Sequence, residues 1–149
     1  MGRLDGKIAL VTGGGSGLGK SAAIHMAEEG ASIIVSDINL ETATETAETI
    51  NKERQGAAIP VKHNVTNEDD WNNVLALCQN HFSELNILLN NAGISIGGDI
   101  ESTEFETWKK LQEVDVDSIF WGCKLAIPIL RKSKSSSIIN ISSTVGLLG

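Results

Sequence analysis

Apolar residues recur along this chain in two alternating rhythms: short unbroken runs that suit buried strands, and longer stretches with an apolar position every three or four residues that suit one-sided helices. Ile8 to Thr12 is such a run and predicts a first strand; Ser16 to Glu29 predicts a helix with Leu18, Ala22, Ala23, Met26 and Ala27 on one face, stopped by Gly30. Ile33 to Ser36 predicts a second strand. Asn39 then caps a helix that turns Leu40, Ala43, Ala47 and Ile50 inward, and Gln55-Gly56 closes it before a third strand over Ala57 to Val61. A helix beginning near Asn67 has Glu68, Asp69 and Asp70 in its first turn, where carboxylates suit the dipole, and buries Trp71, Val74, Leu75, Cys78 and Phe82. Leu85 to Leu89 predicts the fourth strand. Thr103 with Glu106 has the spacing of a capping box for one long helix through Arg131, carrying Trp108, Leu111, Val114, Ile119, Leu125 and Ile129, and Ser136 to Ile141 predicts the fifth strand.

Strictly alternating strands and helices predict an α/β protein, a three-layer doubly wound parallel sheet of the Rossmann type, in one domain over residues 1–149. Right-handed crossovers running one way for the first three strands and the other way for the last two predict the order 3-2-1-4-5.

Composition changes this picture little. The 149 residues are 41% hydrophobic and 21% charged, as in soluble globular domains, and no apolar run approaches bilayer length. With no signal-peptide core at the N-terminus, the expected location is cytoplasmic. A formal net charge of −7 disfavours nucleic acid, and the Arg131, Lys132 and Lys134 cluster reads as a solvated helix end. Cys78 and Cys123 are expected to be buried thiols. His25, His63 and His81 have no ligand spacing, so no metal site and no catalytic role is assigned to them. Trp71, Trp108 and Trp121 are expected to pack in a core or an interface.

The chemistry begins at the loop Gly13-Gly14-Gly15-Ser16-Gly17-Leu18-Gly19, between a strand and a helix. Its spacing is not the common G-x-G-x-x-G, but the physics is shared: glycines let the backbone approach a pyrophosphate, and the helix start offers unpaired N–H groups at a positive dipole end. Asp37 follows Gly19 by 18 residues, close to the spacing at which a carboxylate accepts from the adenosine ribose hydroxyls. Its charge opposes a 2′-phosphate, and the loop carries no Arg or Lys to offset it, so the expected cofactor is NAD rather than NADP.

Asn90-Asn91-Ala92-Gly93, after the fourth strand, would lie at the carboxyl edge where open α/β sheets bind ligands. Taken with Thr12 to Gly19 and Asn140-Ile141-Ser142-Ser143, it closely resembles the short-chain dehydrogenase/reductase family, in order over the whole chain. The resemblance implies hydride transfer between a nicotinamide cofactor and a secondary alcohol or carbonyl. It places the cofactor on Gly13, Ser16, Gly17, Leu18, Gly19, Asp37, Asn64, Val65, Asn91, Ala92 and Gly93, and the catalytic serine at Ser143, whose hydroxyl would meet the substrate oxygen.

Two positions depart from the family pattern. Asp115 stands where Asn is usual; its backbone carbonyl could still hold a water in a proton relay, while its carboxylate would alter the local field. Asn64 stands where Asp is usual and is expected to keep an acceptor for the adenine amine. The family's Tyr-x-x-x-Lys has no counterpart here, since the chain contains no tyrosine. The expectation is therefore a dehydrogenase truncated after its fifth strand, inactive as these 149 residues alone; the alternatives are an inert fragment and an NAD-binding module without catalysis. The Gly2-Arg3-Leu4-Asp5-Gly6-Lys7, Ser36-Asp37-Ile38-Asn39 and Phe120-Trp121-Gly122-Cys123 segments are similar to bacterial hydroxysteroid and cyclic-alcohol dehydrogenases, which suggests a substrate class. Gly93 to Gly97 and Val145 to Gly149 are expected to line its pocket. The long helix looks like the one that pairs such subunits, so the complete enzyme is expected to be a homodimer or homotetramer.

Overall fold

The computed structural model describes residues 2–146. Five strands, β1 (Ile8–Thr12), β2 (Ser32–Asp37), β3 (Ala58–Lys62), β4 (Ile87–Asn90) and β5 (Ser137–Asn140), form one parallel sheet in the order β3-β2-β1-β4-β5. This is the expected order, with strand ends shifted by one or two residues. The direction of winding reverses between β1 and β4, so the loops leaving these two strands diverge and open a crevice at their carboxyl ends.

Side chains leave a strand on alternate faces, and the chain uses both. Ala9, Val11, Ile33, Val35, Ile87 and Leu89 point into the layer that contains Ala23 of α1 (Gly17–Glu28) and Ala43, Ala47 and Ile50 of α2 (Leu40–Glu53). Ile8, Leu10, Ile34 and Leu88 point the other way, onto Trp71, Val74, Leu75 and Cys78 of α3 (Glu68–Phe82) and Ala126 and Leu130 of the last helix. Asn39 caps α2 as expected and Asn67 caps α3, accepting from the Glu41 and Asp70 N–H groups, each at 3.0 Å.

Several expectations are corrected. Leu18 does not share the buried face of α1; it is 74% exposed, because it sits in the first turn above the crevice. The capping box does not form: the Thr103 hydroxyl donates back to the Asp99 carbonyl at 2.6 Å, Glu106 pairs with Lys109 at 3.5 Å, and the helix starts at Phe105 behind Glu104. Nor is that helix uniform. It runs as α4 (Phe105–Gln112), a π-helical turn (Glu113–Asp117) and α5 (Ser118–Leu130). Trp108 lies outside the core, 47% exposed and stacked on the exposed Phe105, whereas Trp71 is fully buried and Trp121 packs partly buried against the second core layer. Cys78 is buried, but Cys123 is only half-buried. Of the pocket segment expected at Val145 to Gly149, the side chain of Val145 and residues 147–149 lie outside the described residues.

α5 approaches β4 through Gly122. A methyl group there would stand 2.6 Å from Asn90 Oδ1 and 2.8 Å from the Trp71 ring, so only glycine fits this contact. Among the described residues, no helix is long and apolar enough to cross a membrane.

Candidate active site

The crevice at the carboxyl ends of β1 and β4 is a cleft of about 1040 Å³. It brings together ten of the eleven residues expected at a cofactor site: Gly13, Ser16, Gly17, Leu18, Asp37, Asn64, Val65, Asn91, Ala92 and Gly93. The eleventh, Gly19, lies behind the lining and makes the loop possible. A Cβ on it would fall 2.1 Å from the Gly13 carbonyl and 2.4 Å from Asn91 Nδ2, so α1 can begin this close to the strand ends only with glycine there.

A latch between two strands sets the floor. The Thr12 hydroxyl accepts from the Asn91 and Ala92 N–H groups, both at 3.0 Å, and donates to the Leu89 carbonyl at 3.3 Å. One buried hydroxyl thereby uses its donor and both acceptor positions. Asn91 turns its amide inward, donating to the Thr12 carbonyl at 2.9 Å and the Gly13 carbonyl at 3.3 Å. Its side chain thus braces the glycine loop. The sequence motif marked the position but not this use, and it included Thr12 without giving it a role.

Asp37 ends β2 at the lip of the cleft. Its carboxylate accepts from the Gly15 N–H at 2.9 Å and the Asn39 N–H at 3.0 Å, which orients it while leaving acceptor capacity for a diol. The first N–H groups of α1 have no intrahelical acceptors and open beside it, so unpaired amide donors and a carboxylate face one space. These residues fit a dinucleotide.

Beyond Asp37 the wall passes to His63, Asn64, Val65 and Thr66. His63 is 1% exposed, joined to Ser36 Oγ at 3.1 Å, edge-on to Trp71, and burial pushes its pKa down to about 4, so it is neutral. Its Nε2 is the buried side-chain polar atom without a partner among the described residues. Sequence spacing gave no hint of it. Asn64 departs from expectation: its Oδ1 already accepts from the Thr66 N–H at 3.1 Å and the Thr66 hydroxyl at 2.9 Å, so that acceptor is used within the turn.

At the other end, Asp115 lies on the π-helical turn and accepts from the Ile94 N–H at 2.8 Å, fastening the loop that follows Gly93. The carboxylate acts here as a tether, and its neighbours Glu113 and Val114 line the cleft. Ser143 is exposed, two residues past Ile141, which reaches the lining, and its carbonyl accepts from the Gly146 N–H at 3.1 Å.

The class this arrangement defines is a doubly wound, Rossmann-like α/β domain with its cleft at the switch point. The chain belongs to the short chain dehydrogenase family, whose pattern it matches over residues 7–149. It is 43% identical over 97% of its length to a 2,5-dichloro-2,5-cyclohexadiene-1,4-diol dehydrogenase of Sphingobium indicum, and 38% identical over 95% to a 3-beta-hydroxysteroid dehydrogenase of Comamonas testosteroni. Over 97% of its length it superimposes with a TM-score of 0.91, at 31% identity, on a 7 alpha-hydroxysteroid dehydrogenase complexed with NADH and 7-oxo glycochenodeoxycholic acid. The chain spans 58%, 54% and 56% of these three proteins.

Proposed function

We propose that these residues are the cofactor half of an NAD-dependent oxidoreductase that moves a hydride between the nicotinamide and a secondary alcohol or ketone, of the steroid or cyclic-alcohol class. The observation that carries the reading is the single cleft that joins the α1 N-terminus, the Asp37 carboxylate and the Ala92-Gly93 turn. The substrate class is supported by the names of the relatives above, a dehydrogenase of a dichlorocyclohexadiene diol and a 3-beta-hydroxysteroid dehydrogenase.

In this reading the amides at Gly17 and Leu18 hold the pyrophosphate and Asp37 holds the adenosine ribose. Thr12 and Asn91 keep the loop rigid, and Asp115 positions Gly93 and Ile94 beside the reacting end. When bound, the dinucleotide supplies or receives the hydride. The Ser143 hydroxyl donates to the substrate oxygen and favours the charge that develops there. The acid–base step is assigned to a tyrosine and lysine outside these 149 residues, which hold no tyrosine. NAD is preferred because a 2′-phosphate would meet the Asp37 carboxylate at close range, and the cations lining the cleft, Lys109 and Lys110, come from α4 rather than from the glycine loop.

Equilibrium titration with NADH and NADPH tests this. The wild-type chain should bind NADH at least about tenfold more tightly, a difference of about 1.4 kcal/mol. Asp37→Ala should erase the preference, and Asp37→Asn, which keeps an acceptor for the Gly15 N–H, should erase much of it without loosening the loop. Equal wild-type affinities would overturn the assignment.

A further inference from the structure

The order of strands along the carboxyl edge of the sheet sets an order of sites. Asp37 ends β2, the glycine loop leaves β1, and Ala92, Gly93 and Ile94 follow β4, with β1 standing between the other two strands. Neighbouring strands lie about 4.8 Å apart, so β2 and β4 face each other across the loop at roughly 10 Å. A dinucleotide with its adenosine ribose on Asp37 and its pyrophosphate on the loop therefore carries its second nucleoside toward β4. That step rests on the reading of the cleft given above.

At the β4 end one charge stands apart. Asp115, half-buried on the π-helical turn, accepts from the Ile94 N–H through Oδ1 at 2.8 Å, and the same oxygen is 3.4 Å from where a Cβ on Gly93 would lie. Among the described residues its second oxygen has no hydrogen-bond partner and no cation pairs with it. The charged residues that line the cleft from α4 and the turn cancel: Glu106 and Glu113 are matched by Lys109 and Lys110, and Glu106 pairs with Lys109 at 3.5 Å. An uncompensated carboxylate thus stands directly behind the Gly93 and Ile94 wall.

A nicotinamide ring is a cation when oxidised and neutral when reduced, so a fixed negative charge beside it attracts one form and not the other. A neutral amide at the same place would tether Ile94 without making that distinction. We infer that Asp115 is a specificity-determining residue for the redox state of the cofactor: its carboxylate raises the affinity of the cleft for the oxidised dinucleotide relative to the reduced one, which biases the site toward alcohol oxidation.

Dissociation constants of NAD and NADH are measured by calorimetry on the wild-type chain, Asp115→Asn and Asp117→Asn. Asp115→Asn should move the ratio of the two constants about fivefold toward NADH, the scale of one unit charge acting over several ångströms of partly solvated protein. Asp117 is exposed on the same turn and outside the cleft lining, so Asp117→Asn removes an equal charge and should leave the ratio unchanged. Amide exchange at Ile94 should stay slow in Asp115→Asn, because the carboxamide oxygen takes over as acceptor. An unchanged ratio in Asp115→Asn, an equal shift in Asp117→Asn, or a shift that comes only with loss of Ile94 protection would overturn the inference and leave the dinucleotide reading standing. Failure of the wild type to bind either form would overturn both.

Discussion

Thr12 shows how much one hydroxyl can carry. It is 1% exposed and holds two N–H groups of the turn after β4, so Thr12→Ala would leave two part-buried donors without this acceptor. The expected loss is about 1 kcal/mol for the hydrogen bonds removed, read as a lowered denaturation midpoint, while Thr12→Ser should retain most of the stability. His63 makes a second prediction. Its folded pKa of about 4 lies below the ordinary value of 6.5, so the unfolded chain binds a proton that the folded chain refuses between those limits. Its share of stability, up to about 3 kcal/mol, is complete above pH 6.5 and is lost as the pH falls toward 4. Denaturant titrations across that window should show a shallower slope for His63→Phe than for the wild type; identical slopes would remove His63 from the account. Ten of the residues expected at a cofactor site line the cleft, because the motifs behind the resemblance sit at strand ends that any such sheet must bring together. What spacing cannot show is which way an amide turns: Asn91 points into the scaffold and Asn64 spends its oxygen on Thr66, both consequences of neighbours fixed only by folding.

At the scale of elements, the strands and the helices α1 to α3 were legible because each repeats one signal several times over: an apolar run or stripe, a capping Asn, a closing glycine. The last helix was not. Thr103 and Glu106 have capping-box spacing, but Asp99, four residues before Thr103, captures the hydroxyl first. The π-helical turn leaves no mark in the apolar period, although it sits where such turns often sit, beside a ligand cleft, and directs Asp115 at Ile94. Asp115→Ala should release the Gly93–Ile94 segment and raise its amide exchange rate, whereas Asp115→Asn, still an acceptor, should keep it protected. The fit of α5 on β4 is a separate matter. Gly122→Ala must push aside Asn90 and Trp71, and overpacking of this kind costs about 1–3 kcal/mol, so its thermal midpoint should fall.

Over the whole molecule, two apolar layers clasp a parallel sheet and leave the functional residues on loops at one edge, so that the scaffold can be stiff while the cleft stays open. The exposed aromatic residues lie elsewhere, at Phe105 and Trp108 on α4 and Phe120 on α5, which are 66%, 47% and 58% exposed. The proposal that these helices pair two subunits predicts a dimer or tetramer in sedimentation at micromolar concentration, weakened by Phe120→Glu; a monomer would contradict it. The central claim is that one cleft receives the dinucleotide in a set orientation. A crystal structure of the chain with NADH tests it most directly: the account predicts the pyrophosphate on the Gly17 and Leu18 N–H groups and the adenosine ribose hydroxyls on the Asp37 carboxylate, and a dinucleotide bound elsewhere, or with its ribose away from Asp37, would contradict it.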